Sequence, residues 1–190
     1  MKTSSSRSKD IARELGKVGE ENVYKALKEI DAKFLFNLYV PYNNSTSEID
    51  VVMITSHNIY VIEVKNYCGV IWGKEEDEYW VSQKRKGTYT FYNPIKQNDT
   101  HIVALKQFVD MPMTNIVIFT DISKLNIKSN SIVIQTKDIK QKIEDLEKKS
   151  TNKIDVNNVY NELKCFEPTD NEVSEQHIND LTKRQTCNII

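Results

Sequence analysis

This sequence predicts an α/β fold: a mixed central sheet flanked by helices, with a helical extension at the C-terminal end. Three observations carry that expectation. Segments with helical spacing alternate with short apolar runs. Two of the runs, Asn115–Thr120 and Ser131–Gln135, are continuously apolar, as interior strands buried on both faces are. The 190 residues are 39% hydrophobic and 28% charged, enough to bury one core beneath a solvated surface.

The elements follow in order. Residues 1–13, with Lys2, Arg7, Lys9 and Arg13, read as a basic arm. A helix then runs from about Asp10 or Leu15 to Ile30, with Leu15, Val18, Val23, Leu27 and Ile30 near one face. Phe34–Val40 is an aromatic-rich strand closed by Pro41, and Tyr42–Ser47 is turn chemistry throughout. Glu48–Thr55 and Asn58–Asn66 form a hairpin across Ser56-His57. Gly69–Gly73 and Tyr79–Gln83 are further strands, each with one tryptophan. A basic turn, Lys84-Arg85-Lys86-Gly87, leads into Tyr89–Tyr92.

Asn93-Pro94 starts a helix over about Ile95–Val109, with Ile102, Leu105 and Val109 as its buried stripe. After the two interior strands come helices at Asp138–Lys149, with Ile139, Ile143 and Leu146 inward, and at Val156–Phe166. The expected division is an arm at 1–13, a main domain at 14–136, a helical extension at 137–167 and a polar tail at 168–190.

Composition excludes several classes. No run of about 18 apolar residues exists and mean hydropathy is −0.54, so no membrane helix is expected. The Ser-rich start has no apolar segment of the secretory kind. Cys68, Cys165 and Cys187 are odd in number and far apart, which fits a reducing, cytoplasmic setting better than a disulfide or zinc framework. With 26 basic and 27 acidic residues, any nucleic-acid binding must come from a local patch. The absence of a glycine-rich phosphate loop or a Gly-x-Ser-x-Gly elbow argues against ATP use and acyl transfer.

The chemistry concentrates in Tyr60-Val-Ile-Glu-Val-Lys-Asn66, where an acid and an amine interrupt a strand otherwise as apolar as a core strand. Strand period puts Glu63 and Lys65 on one face and Tyr60, Ile62 and Val64 on the other. Hairpin pairing can bring Asp50 beside them. Converging carboxylates repel unless a cation neutralises them or one is protonated. A Mg²⁺ or Mn²⁺ ion accepts such oxygen ligands, and an adjacent lysine can orient a water or stabilise a phosphorane-like charge. The competing reading is a cross-strand ion pair on a solvated sheet face. Glu147-Lys-Lys149 and Glu162-Leu-Lys164 repeat the bare Glu-x-Lys spacing as helix surface pairs, so the strand context carries the signal.

Glu20, in Gly16-Lys-Val-Gly-Glu-Glu21, shares a helix face with Val23, Tyr24 and Leu27 and would point at the sheet. A third site carboxylate and a first-turn acid favoured by the helix dipole are both open to it. Gln97 and His101 lie one turn apart after Asn93-Pro94 and could hold a phosphate or the lysine; for His101 a surface pairing is the preferred reading. Lys84, Arg85 and Lys86 with Tyr89 and Tyr92 can reach phosphates, or can form a solvated hairpin tip. Trp72 and Trp80 read as structural rather than base-stacking, and Cys68 as packing.

Taken in order, Gly16-x-x-Gly-Glu20, Ile49-Asp50, Val61-Ile-Glu-Val-Lys-Asn66 with Gly69, and Asn93-Pro-Ile-x-Gln97 resemble the NERD (nuclease-related) domain, a branch of the PD-(D/E)xK nucleases. The resemblance covers roughly residues 14–120. It implies a restriction-endonuclease-like fold and a Mg²⁺-dependent (or Mn²⁺-dependent) phosphodiesterase site acting on nucleic acid, with DNA as the expected partner. Asp50 and Glu63 would be metal ligands, joined by Glu20 and the Val64 carbonyl, with Lys65 catalytic and Gln97 the later helix-borne polar residue. Where the family often has His after Ile-Asp, this chain has Val51, on the side away from Asp50. Cutting two strands with one site per chain favours a two-fold homodimer. A binding module that keeps the fold without turnover is the alternative.

Overall fold

The computed structural model describes residue 19 and residues 21–168. A first helix (α1) covers 21–27. Among the described residues nine strands follow in two sheets, interleaved with helices α2 (Pro94–Leu105), α3 (Ile139–Lys149) and α4 (Val156–Leu163). The strands are β1 (Lys33–Tyr42), β2 (Ser45–Ile54), β3 (Ile59–Lys65), β4 (Gly69–Lys74), β5 (Tyr79–Lys84), β6 (Gly87–Tyr92), β7 (Met113–Phe119), β8 (Ser123–Lys128) and β9 (Ile132–Gln135).

The larger sheet has the order β1-β2-β3-β7-β9, antiparallel through β3 and parallel beyond it. The smaller has the order β6-β5-β4-β8, with only β4 and β8 parallel. The fold is mixed α/β as expected, with two mixed sheets where the sequence suggested one. The division lies at a corner that two neighbouring strands turn together. β3 and β7 end opposite each other at Lys65 and Phe119, and after equal gaps β4 and β8 restart opposite each other at Gly69 and Ser123. The Thr120 N–H donates to the Lys65 carbonyl and its hydroxyl to Asn66 Oδ1 at 2.6 Å, so the corner is bonded. Gly69 sits there at φ +96°, a conformation that favours glycine.

β8 has no counterpart in the sequence reading. Its alternation of Leu125 and Ile127 with exposed Lys124, Asn126 and Lys128 marks an edge strand covered on one face. The Tyr42–Ser47 turn is shorter than expected. Asn43 and Asn44, at φ +47° and +58°, make a two-residue turn, and Ser45–Ser47 already belong to β2. Pro41 is accommodated inside β1 because β1 is an edge strand.

Two cores cover the larger sheet. Val23 and Leu27 of α1 and Ile139 and Ile143 of α3 pack on Tyr60, Ile62 and Val64. Ala104 and Leu105 of α2 and Val159 and Leu163 of α4 pack on the opposite face, which bears Val52 and Val61. The smaller sheet turns Ile71, Trp80 and Phe91 onto Val117 and Phe119 of β7. Gly73 is needed for that contact, since a Cβ there would lie 2.4 Å from the Trp80 ring.

α3 is held by more than its apolar stripe. Glu147 accepts from Tyr60 OH (2.5 Å), Asn58 Nδ2 (2.8 Å) and Thr55 Oγ1 (3.0 Å), clamping the helix to the β2–β3 turn. Burial alone would push the Glu147 carboxyl up, but these bonds outweigh it and hold it below its ordinary value of 4.5. A carboxyl lowered on folding contributes stability above its unfolded pKa and loses it as pH falls through the folded value. Glu147→Ala is expected to cost about 2 kcal/mol at neutral pH, by leaving partly buried donors unpaired. Thermal unfolding should show that cost shrinking as pH drops below about 4.5; a cost independent of pH would contradict it.

Candidate active site

β2 and β3 pair from Ile54–Ile59 to Val51–Ile62 and then part. Asp50 sits at that parting. Its Oδ2 accepts the Val64 N–H at 2.7 Å, so a side chain takes the main-chain donor that β2 no longer serves. On the other side, Asn37 and Asp50 are the pair missing from an otherwise continuous β1–β2 register, and Asn37 has φ +53°. Asparagine tolerates that left-handed conformation better than most residues. β2 thus leaves β3, and its ladder to β1 skips one pair, at the residue whose carboxylate faces the opening.

Beyond the parting lies an open cleft of about 720 Å³, lined by the β1–β2 turn, Asp50, Glu63, Val64, Lys65, Tyr92, Gln97 and His101. Glu63 is 2% exposed. Its Oε1 accepts from Lys65 Nζ at 2.6 Å, and its Oε2 lies 3.3 Å from His101 Nε2. The second contact is electrostatic rather than a well-aligned hydrogen bond, since neither buried atom has a hydrogen-bond partner. Lys65 Nζ also donates to Gln97 Oε1 at 3.0 Å, and His101 Nδ1 lies 2.7 Å from Ser47 Oγ. A chain of contacts therefore runs from Gln97 through Lys65, Glu63 and His101 to Ser47, joining α2, β3 and β2.

The charges follow from this geometry. Burial would push the Glu63 carboxyl up; His101 and the Lys65 ammonium outweigh it and hold the carboxyl below the ordinary range. Burial would lower the Lys65 pKa, but Glu63, with Asp50 farther off, holds it above the ordinary lysine value.

α2 is placed to serve this site. Asn93 caps it by accepting the Ile95 N–H at 2.9 Å, Pro94 fits its first turn, and Asn93 Nδ2 donates to the Asp77 carbonyl at 2.7 Å. Asn98 Nδ2 donates to the Val61 carbonyl at 2.8 Å, fixing the helix over β3. Gln97 and His101 consequently face the strand that carries Glu63 and Lys65.

The expected site residues divide. Asp50, Glu63, Val64, Lys65 and Gln97 all line the one cleft. Glu20 lies outside the described residues. Lys84, Arg85 and Lys86 occupy the exposed tip of the β5–β6 hairpin and do not line the cleft. Val51 is fully buried against the α1 side, away from Asp50. Two readings are corrected. His101 is 7% exposed rather than a surface residue, because α2 turns it onto Glu63. Cys68 is exposed rather than packed. Of the two tryptophans read as structural, Trp80 is buried and Trp72 is 45% exposed. Ser47, read as part of a turn, was missed; its position two strand residues before Ile49-Asp50 was the available signal.

The sequence family described as the nuclease-related domain (NERD) matches residues 15–120. The chain belongs to the NERD family. Outside that span the similarity continues in one relative: an uncharacterized protein of Bacillus anthracis is 26% identical over 181 residues, covering 90% of this chain and 85% of its own length. A crystal structure of a protein of unknown function, AF1548, aligns with 66% of this chain at 14% identity and a TM-score of 0.33, and this chain spans 54% of that one. The two-sheet architecture is consistent with a restriction-endonuclease-like fold, and among the described residues no helix of the NERD chain is long and apolar enough to cross a membrane.

The donor chemistry of the NERD cleft fits a hard divalent cation. The carboxylates of Asp50 and Glu63, from two strands, offer only oxygen, and Glu63 Oε2 is a buried oxygen with no hydrogen bond. Among the described residues no third His, Cys, Asp or Glu completes a side-chain cage, so water would fill the remaining positions, as Mg²⁺ accepts.

Removing one member of the buried pair strands the other. Lys65→Met is expected to lower stability by about 3 kcal/mol or more in chemical denaturation. The double variant Glu63→Leu, Lys65→Met should cost clearly less than the sum of the single changes; additive costs would show that the two charges are not coupled.

Proposed function

We propose that this NERD protein is a metal-dependent nuclease that hydrolyses phosphodiester bonds in nucleic acid, with DNA as substrate. The observation that carries the proposal is the convergence of Asp50, Glu63 and Lys65 in one open cleft where β2 and β3 part. Asp50, Glu63 and the Val64 carbonyl would hold Mg²⁺ or Mn²⁺, with Glu20 as a further expected ligand. The chemistry supplied by such an ion would be Lewis-acid polarisation of the phosphoryl group and a lowered pKa of a bound water.

The chain's own residues do the rest. Lys65 keeps its proton, because Glu63 raises its pKa, so its task is to position the attacking water and stabilise charge on the phosphoryl oxygens rather than to act as a base. Gln97 Oε1 accepts from the same ammonium at 3.0 Å and restrains it. His101, in contact with Ser47, lies 3.3 Å from the other Glu63 oxygen and acts as a positioning residue. Near-neutral net charge implies modest affinity that weakens with salt, unless a homodimer or partner adds basic surface.

A second reading, a nucleic-acid-binding module without turnover, draws on the fact that both Glu63 oxygens already have close neighbours. One assay separates the two. Supercoiled plasmid, linear duplex, single strands and RNA are each incubated with Mg²⁺, Mn²⁺ or EDTA. Metal-dependent cutting that falls about 100-fold or more in Asp50→Asn and in Lys65→Ala is the expected result. Binding without cutting by well-folded wild type would favour the module instead.

A further inference from the structure

We propose that the outward face of the smaller sheet is a platform for single-stranded nucleic acid that leads into the cleft. The inference rests on the nuclease reading above and deepens it by naming the form of the substrate.

The ladder register sets the faces. Ile71, Trp80 and Phe91 point inward to Phe119. Trp72 pairs with Val81, and Tyr79 pairs with Tyr92, which places Trp72, Tyr79 and Tyr92 together on the opposite face. They are 45%, 54% and 42% exposed. Three large aromatic side chains left in water on one antiparallel surface are unusual for a face with only a structural role. Their arrangement is ordered: Trp72 Nε1 donates to Gln83 Oε1 at 3.1 Å, and the Tyr79 and Tyr92 rings meet edge to face at 5.9 Å.

Charge on the same face favours a polyanion. Lys124 is paired in register with Val70, Asn126 with Trp72 and Lys128 with Lys74, so the β8 edge carries exposed lysines alongside the aromatics. Three of the four acids of the adjoining loop have local partners, while Glu78 is exposed to solvent. Glu75 accepts from Ser129 Oγ and the Asn130 N–H, Asp77 accepts the Lys74 N–H, and Glu76 pairs loosely with Lys74 at 3.8 Å. Lysines interleaved with exposed aromatics suit unpaired bases, whose faces stack while the phosphates are neutralised. A duplex hides those base faces within its own stack, so it offers this surface only phosphates.

Continuity with the cleft gives the face a direction. Tyr92 belongs to the aromatic set and also lines the cleft, next to the Asn93 cap that starts the helix bearing Gln97 and His101. A strand stacked on Trp72 and Tyr79 would pass Tyr92 to reach Lys65 and Glu63.

The test measures binding and cutting separately on the full chain. Binding of a labelled short oligothymidylate, and of a duplex of equal length, is followed by anisotropy in EDTA. Cutting of both is followed in Mg²⁺ and Mn²⁺. The oligothymidylate should bind more tightly than the duplex, and the Trp72→Ala, Tyr79→Ala variant should weaken its binding about tenfold or more. A second variant, Lys124→Ala with Lys128→Ala, should reduce the slope of log affinity against log salt by about 1.4 for the single strand. It keeps the test open should the aromatic variant fold poorly. Single-strand affinity unchanged in both variants while wild type cuts nucleic acid would overturn the platform and leave the nuclease. Binding that depends on Trp72 and Tyr79 with no cutting by wild type would leave the platform and remove the nuclease. Self-association of the chain through this face, with no oligothymidylate binding, would give the surface to a second copy and overturn the proposal.

Discussion

Glu63 sits in the central strand of the larger sheet with almost no exposure, and it stays charged there. An isolated carboxylate at such a place would cost several kcal/mol or take up a proton. The protein meets the constraint by bonding one carboxylate oxygen to Lys65 on its own strand and setting His101 of α2 3.3 Å from the other. Much of the local architecture serves those two contacts. α2 must lie close over β3, which Asn93 and Asn98 arrange, and Ser47 must reach His101, which needs the short turn at Asn43-Asn44 to bring β2 back in register.

The second consequence is the cleft. A β2–β3 ladder that continued past Ile62 would cover Glu63 and Lys65 with main chain. The strands part instead at Asp50, whose carboxylate accepts the Val64 N–H that β2 main chain no longer serves. One residue thereby ends the ladder and contributes an anion to the opening. The corner shared by β3–β4 and β7–β8 then carries the chain into a second sheet, whose edge at Tyr92 closes one side of the cleft and whose far face stands open. The cleft and the open aromatic face are therefore adjacent because two parallel strands turn the corner together.

Much of this was legible in the residues. The Glu-x-Lys pair in an apolar strand, the Asp on the preceding strand and the Asn-Pro helix start each have a local signature, and the structure gathers Asp50, Glu63, Lys65 and Gln97 around one cleft. What could not be read depended on distant partners. β8 is mostly polar, and its strand character comes from pairing with β4 more than 50 residues earlier in the chain. The split into two sheets lies in the short segments after Lys65 and Phe119, whose sequences do not announce a corner. His101 looked like a surface residue because nothing in its own helix shows that Glu63 waits opposite. Trp72 and Trp80 looked alike, and only the register assigns one to the core and the other to solvent.

On the function proposed above, the parting of β2 and β3 would form a seat for a divalent cation shared by Asp50 and Glu63. Titration calorimetry of the full chain with Mn²⁺, in wild type and in Asp50→Asn, tests it most directly because it requires neither substrate nor turnover. The account predicts saturable binding by wild type that is lost or strongly weakened in a folded Asp50→Asn variant. No binding by wild type, or equal binding by both, would contradict it.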